Sequence, residues 1–248
     1  MESTVIYESK PKMKKSIFIE GLPGVGNIGK TAADFMVRSL KAERFATILS
    51  EHFPPQVVLD DDCVIRLASN ELWHTRVNGR DIIFLLGDCQ AMTPNGQFLF
   101  CKDLFDNELE KFGVTEIYTL GGYGTGNMVE NPRILGAISD IKMKEKLEEC
   151  GVVFSPGEPG PGIVGASGLF IGFGKMAGIP SACLMGETSG FFVDYKSAVE
   201  LIKVLEKLIG FEIDKTELLE GAEHIDELNA RVKEYGAEQE KHSLTYIG

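Results

Sequence analysis

No two of the five cysteines lie closer than twelve residues, and no C-x-x-C occurs. That spacing excludes a structural zinc site, which needs paired ligands a few residues apart. It also excludes a disulfide framework, which needs more cysteines in a shorter chain. Free thiols in a reducing, cytoplasmic setting are the expectation. No stretch approaches the ~20 apolar residues that span a bilayer. The first residues carry no apolar run behind basic residues, so no signal peptide is read there. Positive charge is scarce: 25 Lys and Arg stand against 37 Asp and Glu, for a net charge of -12. Nucleic-acid binding normally needs a basic face, and an anionic membrane surface would repel this chain. Histidines number four, His52, His74, His224 and His242, and none sits in H-E-x-x-H. No G-x-S-x-G elbow exists to place a serine nucleophile. No catalytic residue, metal or cofactor is therefore assigned.

What is present is α/β alternation. Ser16–Glu20 reads as a strand, Ala32–Leu40 as a helix with Ala33, Phe35, Met36, Val37 and Leu40 inward, and Phe45–Ser50 as the next strand. Val64–Leu67, Leu72–Val77 and Asp81–Leu86 form a meander, with Asn78-Gly79 as a hairpin turn that tolerates positive φ. Phe98–Phe112 reads as a helix, Glu116–Leu120 and Arg133–Ile138 as strands, Asp140 as the cap of a helix ending near Cys150, and Ser181–Met185 as a strand. Asp194 caps the regular helix Lys196–Ile209, whose Ala198, Leu201, Ile202, Leu205, Leu208 and Ile209 share one face. Asp214 and Glu217 spell a capping box for a further helix over 214–236. Asp60-Asp61-Asp62 reads as a solvated turn, since three adjacent acids cannot all face one ion. The sum is an α/β domain with helices on both faces of a mixed sheet.

Between the first strand and first helix lies GVGNIGKT, Gly24 to Thr31. It satisfies two phosphate motifs at once, G-x-G-x-x-G and G-x-x-x-x-G-K-T. As a P-loop it would use the backbone of Gly24, Gly26 and Gly29, the charge of Lys30 and the hydroxyl of Thr31. A magnesium-holding acid would then end a second strand. Asp88 is the nearest, but its strand comes from a hairpin. As a dinucleotide fingerprint it would pair with Glu51, yet hairpins follow where a parallel strand is required. A third reading needs no ligand: glycines at such a turn let backbones pack closely. The residues alone leave all three open.

An ordered set of motifs resembles a known family. Gly21–Gly29 (GLPGVGNIG), Leu120–Tyr123 (LGGY), Gly162–Gly168 (GIVGASG) and Cys183–Glu187 (CLMGE) resemble the proteasome-assembly-chaperone family in its archaeal branch. Asp194 with Ala198 opens the long helix as the family does. The resemblance spans roughly residues 5–212. It implies a three-layer α/β/α sandwich with a mixed sheet, akin to phosphorylase/hydrolase-like folds, plus an appended C-terminal helix. The division implied is a core over 1–212 and a helix with tail over 213–248. The resemblance also implies a non-enzymatic protein that binds the proteasome core particle or its α subunits and forms homo-oligomers, as assembly chaperone or activator. Activators of several kinds place tyrosine next to last. Here Leu244, Tyr246, Ile247 and Gly248 are the candidate anchor, with tyrosine one place earlier. The family has also been likened to ATP-grasp ligases, so ATP at Gly24, Gly26, Gly29, Lys30 and Thr31 stays the alternative.

Overall fold

The computed structural model describes residues 3–225 and 227. Four strands at its centre have almost no exposed side chain: β2 (Ser16–Glu20), β7 (Arg80–Gly87), β8 (Val114–Gly124) and β11 (Ser181–Thr188). They run parallel in the order β7-β2-β8-β11. Parallel strands are covered on both faces, which is why SIFIE and DIIFLL read as near-continuous apolar runs.

The rest of the nine-stranded sheet grows outward from this centre, in the order β1-β3-β6-β7-β2-β8-β11-β9-β10. On one side β1 (Ser3–Tyr7), β3 (Glu43–Ser50) and β6 (Asn70–Val77) pair antiparallel. On the other, β9 (Ile134–Ile138) runs antiparallel to β11, and β10 (Val152–Val153) pairs with β9. The turn between β6 and β7 is Asn78-Gly79, both at positive φ, as the dipeptide predicts. A separate ribbon, β4 (Val57–Leu59) with β5 (Ile65–Leu67), leaves the end of β3. Two of these strands differ from the sequence reading. Ser3–Tyr7, which was not among the expected strands, is an edge strand. Val57–Leu59 follows two prolines and carries no alternation of its own, so only its partner was expected.

Period-two alternation divides the strand residues between two cores. Ile17, Ile19, Ile82, Phe84, Tyr118 and Leu120 face α1 (Ile28–Ser39), α3 (Lys144–Glu149) and α5 (Tyr195–Ile209). Phe18, Ile83, Leu85 and Ile117 face α2 (Pro94–Leu104) and α4 (Gly165–Met176). Helices on both faces of a mixed sheet make the three-layer sandwich expected from the sequence. The Asp194 carboxylate accepts the Ser197 N–H at 3.0 Å to start α5, and Gly210, at φ 86°, ends it. Between them Leu201, Ile202 and Leu205 are fully buried, each stabilising by about 1.5–3 kcal/mol relative to exposure.

Helix α2 begins at Pro94 rather than Phe98, because Thr93 accepts the Gly96 N–H and caps it. It continues into a π-helical turn, Phe105–Leu109. After α5 a last helix covers 216–225, with Leu218 buried in the α1/α5 core and Ala222 also buried. Its start departs from the capping box. Asp214 does accept the Thr216 N–H at 3.0 Å, but Glu217 pairs with Arg38 on α1 instead of reaching back. The candidate anchor Leu244, Tyr246, Ile247 and Gly248 lies outside the described residues.

Candidate functional site

The carboxyl ends of β2, β7, β8 and β11 converge on one rim of the sheet, where parallel α/β folds place their ligand crevices. The glycine-rich loop leaves β2 at this rim and leads into α1. At Gly29 a Cβ would stand 2.1 Å from the Leu120 carbonyl oxygen. Glycine here lets the first turn of α1 lie directly on the backbone of β8. Gly26 sits at φ 61°, beside the Thr188 side chain, and its carbonyl accepts the Asp194 N–H at 3.0 Å. Gly24 is exposed and extended. Lys30 pairs with Asp34 one turn along α1 at 2.9 Å, and Thr31 is half-buried. The loop therefore meets protein on its inner side. Asp88, the acid a P-loop would want, is held by Arg66 through two hydrogen bonds and accepts the Ser69 N–H at 2.9 Å. Despite its burial, those partners keep it below the usual carboxylate range.

Beneath the loop lies Glu20, the last residue of β2, 1% exposed. Its carboxylate accepts the Leu22 N–H at 3.0 Å and the Ser167 hydroxyl at 2.8 Å. Burial pushes its pKa up to about 7, against the pull of those two hydrogen bonds. Gln90 makes a second tie. Its amide donates to the Pro23 carbonyl at 2.7 Å and accepts the Ala166 N–H at 3.0 Å. Glu20 and Gln90 together fasten the glycine loop to the start of α4.

The chemistry of this region is quiet. Burial pushes Cys101 and Cys183 up to about 12 and Cys89 to about 11, so these thiols stay protonated and are poor nucleophiles. Ser167 donates to a carboxylate rather than to an imidazole base. His74 is at the far end of β6, 3.0 Å from Asp81. Glu187 and Asp194, adjacent enough in sequence to suggest an acid–base pair, are separated by role. Arg133 binds Glu187 through its backbone N–H and Nε, both at 3.0 Å, and reaches Glu158 at 3.2 Å. The Arg133 contact holds Glu187 low. Asp194 caps α5. Among the described residues no group of three His, Cys, Asp or Glu could hold a metal ion, and no helix is long and apolar enough to cross a membrane.

What the rim does present is apolar surface. Phe191, Phe192 and Val193 precede the α5 cap, with Phe191 73% exposed, and Val25 and Met128 are also exposed. A cleft beside them is lined by Met128, Phe192, Val193, Tyr195, Ala222 and Ile225. Sequence reasoning missed Glu20, Gln90 and Arg133, which act through partners far along the chain. It also passed over Phe191–Val193, although an apolar triplet between a glycine and a helix cap is a readable signal.

The model of the PAC2 family matches residues 18–233. The chain belongs to the PAC2 family. It is 34% identical to PbaB of Pyrococcus furiosus, an archaeal proteasome activator. That match covers 94% of this chain and 99% of PbaB, with a TM-score of 0.88. PbaA of the same organism, an archaeal homologue of proteasome-assembly chaperone, is 25% identical with a TM-score of 0.79, and all of each chain is covered. An uncharacterised protein of Methanocaldococcus jannaschii is 34% identical over 95% of this chain and 93% of its own. The matched span includes Gly21–Gly29 (GLPGVGNIG), the segment that here packs α1 on β8.

Proposed function

We propose that this PAC2 protein binds the proteasome core particle or its α subunits, as an assembly-chaperone homologue or activator, and does so without catalysing a reaction. One observation carries the reading: the likeness to an archaeal proteasome activator extends over nearly the whole of both chains. The protonated thiols Cys101 and Cys183, and Ser167 donating to a carboxylate, fit a binding role. So does the exposed Phe191–Val193 surface, since exposed aromatic patches mark interaction sites. Self-association into a homo-oligomer is part of the same proposal. Leu244, Tyr246, Ile247 and Gly248 are the proposed anchor, an aromatic and aliphatic segment suited to a pocket between partner subunits.

Native mass spectrometry of the purified chain, mixed with core particles and with free α subunits of its own organism, tests this. The expected result is a discrete complex with one of them. A chain shortened by Leu244–Gly248 is expected to lose it. No added mass on either target, at any salt, would remove the proposal.

A further inference from the structure

The ribbon β4–β5 stands apart from the main sheet. Its register sets Val57 opposite Leu67 and Leu59 opposite Ile65. Alternation puts these four side chains on one face, and they are 45%, 59%, 60% and 64% exposed for Val57, Leu67, Leu59 and Ile65. The other face is anchored: Val58 packs on the second core, and Arg66 is paired with Asp88. An isolated two-stranded ribbon is marginal in water, and clustered exposed aliphatics mark an interface.

Charge indicates what covers this face. The ribbon's tip is Asp60-Asp61-Asp62. Asp60 is used in the turn, accepting the Asp62 and Val64 N–H groups, while Asp61 and Asp62 are exposed. A chain of net charge -12 repels its own copies, so self-association needs local opposite charge. The chain carries it at Lys10, Lys12, Lys14 and Lys15, four lysines in six residues and all exposed. This segment is pinned: the Lys14 N–H donates to Asp81 and the Ser16 N–H to Gly113, both at 3.0 Å.

A groove of about 470 Å³ lies alongside, lined by Phe105, Leu109, Val114 and Ile179. Asp106 and Glu110 also border it, the first already paired with Lys102. The two features lie at opposite ends of the sheet. The ribbon joins the end of β3 to the start of β6, where Asn70 faces Gly87 at the carboxyl rim. The lysines lead into the amino end of β2.

We propose that the β4–β5 ribbon docks head to tail on a second copy of this chain. Its aliphatic face enters the Phe105–Ile179 groove, and its aspartates meet Lys10–Lys15. One end is acidic and apolar and the other basic and grooved, so the contact is heterologous rather than two-fold. The proposal rests on the homo-oligomer in the reading above.

Native mass spectrometry and sedimentation velocity of the full chain test it. The wild type is expected to give multiples of the monomer mass. Leu59→Ser with Ile65→Ser is expected to give monomers, and circular dichroism serves as the folding control. Asp61→Lys with Asp62→Lys, or Lys12→Glu with Lys14→Glu, should each weaken assembly on the order of tenfold. All four charge changes together should restore it. Mixing the serine variant with the Lys12→Glu/Lys14→Glu variant should add no species beyond a dimer. Oligomers that persist undiminished in the serine variant overturn the ribbon contact and leave the oligomer standing. Loss in that variant without rescue by the combined charge exchange overturns the lysine end. A wild type that stays monomeric at every concentration overturns the oligomer itself.

Discussion

The two faces of the sheet share the same strands and differ in chemistry. The face under α1 and α5 is mostly aliphatic, filled chiefly by Ile, Leu, Val and Ala, and among the described residues Phe35 and Phe84 are its only buried phenylalanines, with Phe154 and Phe211 partly buried at its edge. The face under α2 and α4 holds seven buried phenylalanines. Their rings meet in pairs, Phe18 with Phe170 at 5.1 Å, Phe53 with Phe100 at 5.0 Å and Phe45 with Phe112 at 5.3 Å. The contrast follows from the helices. Helix α5 contains no glycine, takes nine of its fifteen residues from the strong formers Ala, Leu, Lys and Glu, and carries a regular stripe. Helix α4 has four glycines in twelve residues, and the three inside it, Gly168, Gly172 and Gly174, each carry an intrinsic helix propensity ~1 kcal/mol poorer than alanine. Local propensity disfavours α4, and ring packing offsets it.

The largest effect is expected where that offset is removed. Phe170→Ala should cost about 4 kcal/mol in urea unfolding, and Leu201→Ala on the opposite face about 3 kcal/mol. Equal or inverted losses would break the contrast between the faces.

Gly29→Ala, at the α1–β8 contact, should cost about 3 kcal/mol, because its Cβ meets a backbone carbonyl that cannot yield. A neutral result would return the glycine loop to its phosphate readings.

Glu20 sharpens the second face through pH. Its carboxyl titrates at about 7 when folded and near 4.5 as a free group. The folded chain therefore holds the proton more tightly, and stability falls as pH rises from about 4.5 to about 7, by about 3 kcal/mol. Glu20→Gln should flatten that slope in denaturation curves taken across the window. A wild type whose stability does not fall there contradicts the assignment.

The smallest change is expected at Arg38→Ala, which removes an exposed pair with Glu217 and should cost less than ~0.5 kcal/mol. A thermal shift of many degrees would show that the 216–225 helix depends on that pair rather than on Leu218 and Ala222.

These differences also explain what could be read in advance. SIFIE, Asn78-Gly79 and the Asp194-capped α5 carry their signals locally, and each was placed correctly. Helix α1 was expected to start at Ala32 and starts at Ile28, because Gly29-Lys30-Thr31 spelled a ligand motif. Helix α2 hid its start in MTPNGQ, where Thr93 and Pro94 are a cap and a first helical residue. The site was the least legible part. Glu20, Gln90 and Ser167 are spread over nearly 150 residues, and only the parallel sheet brings them under one loop. The family motifs marked where the glycines lie, while the side chains that hold them left no local trace.

The central proposal is that this chain works through a binding surface on a chemically quiet fold. Hydrogen–deuterium exchange of the chain with and without proteasome core particles tests it most directly. The account predicts slowed exchange confined to surface segments, foremost Phe191–Val193 or the segment bearing Tyr246, with the central strands unchanged. Exchange that core particles leave unaltered along the whole chain would contradict it.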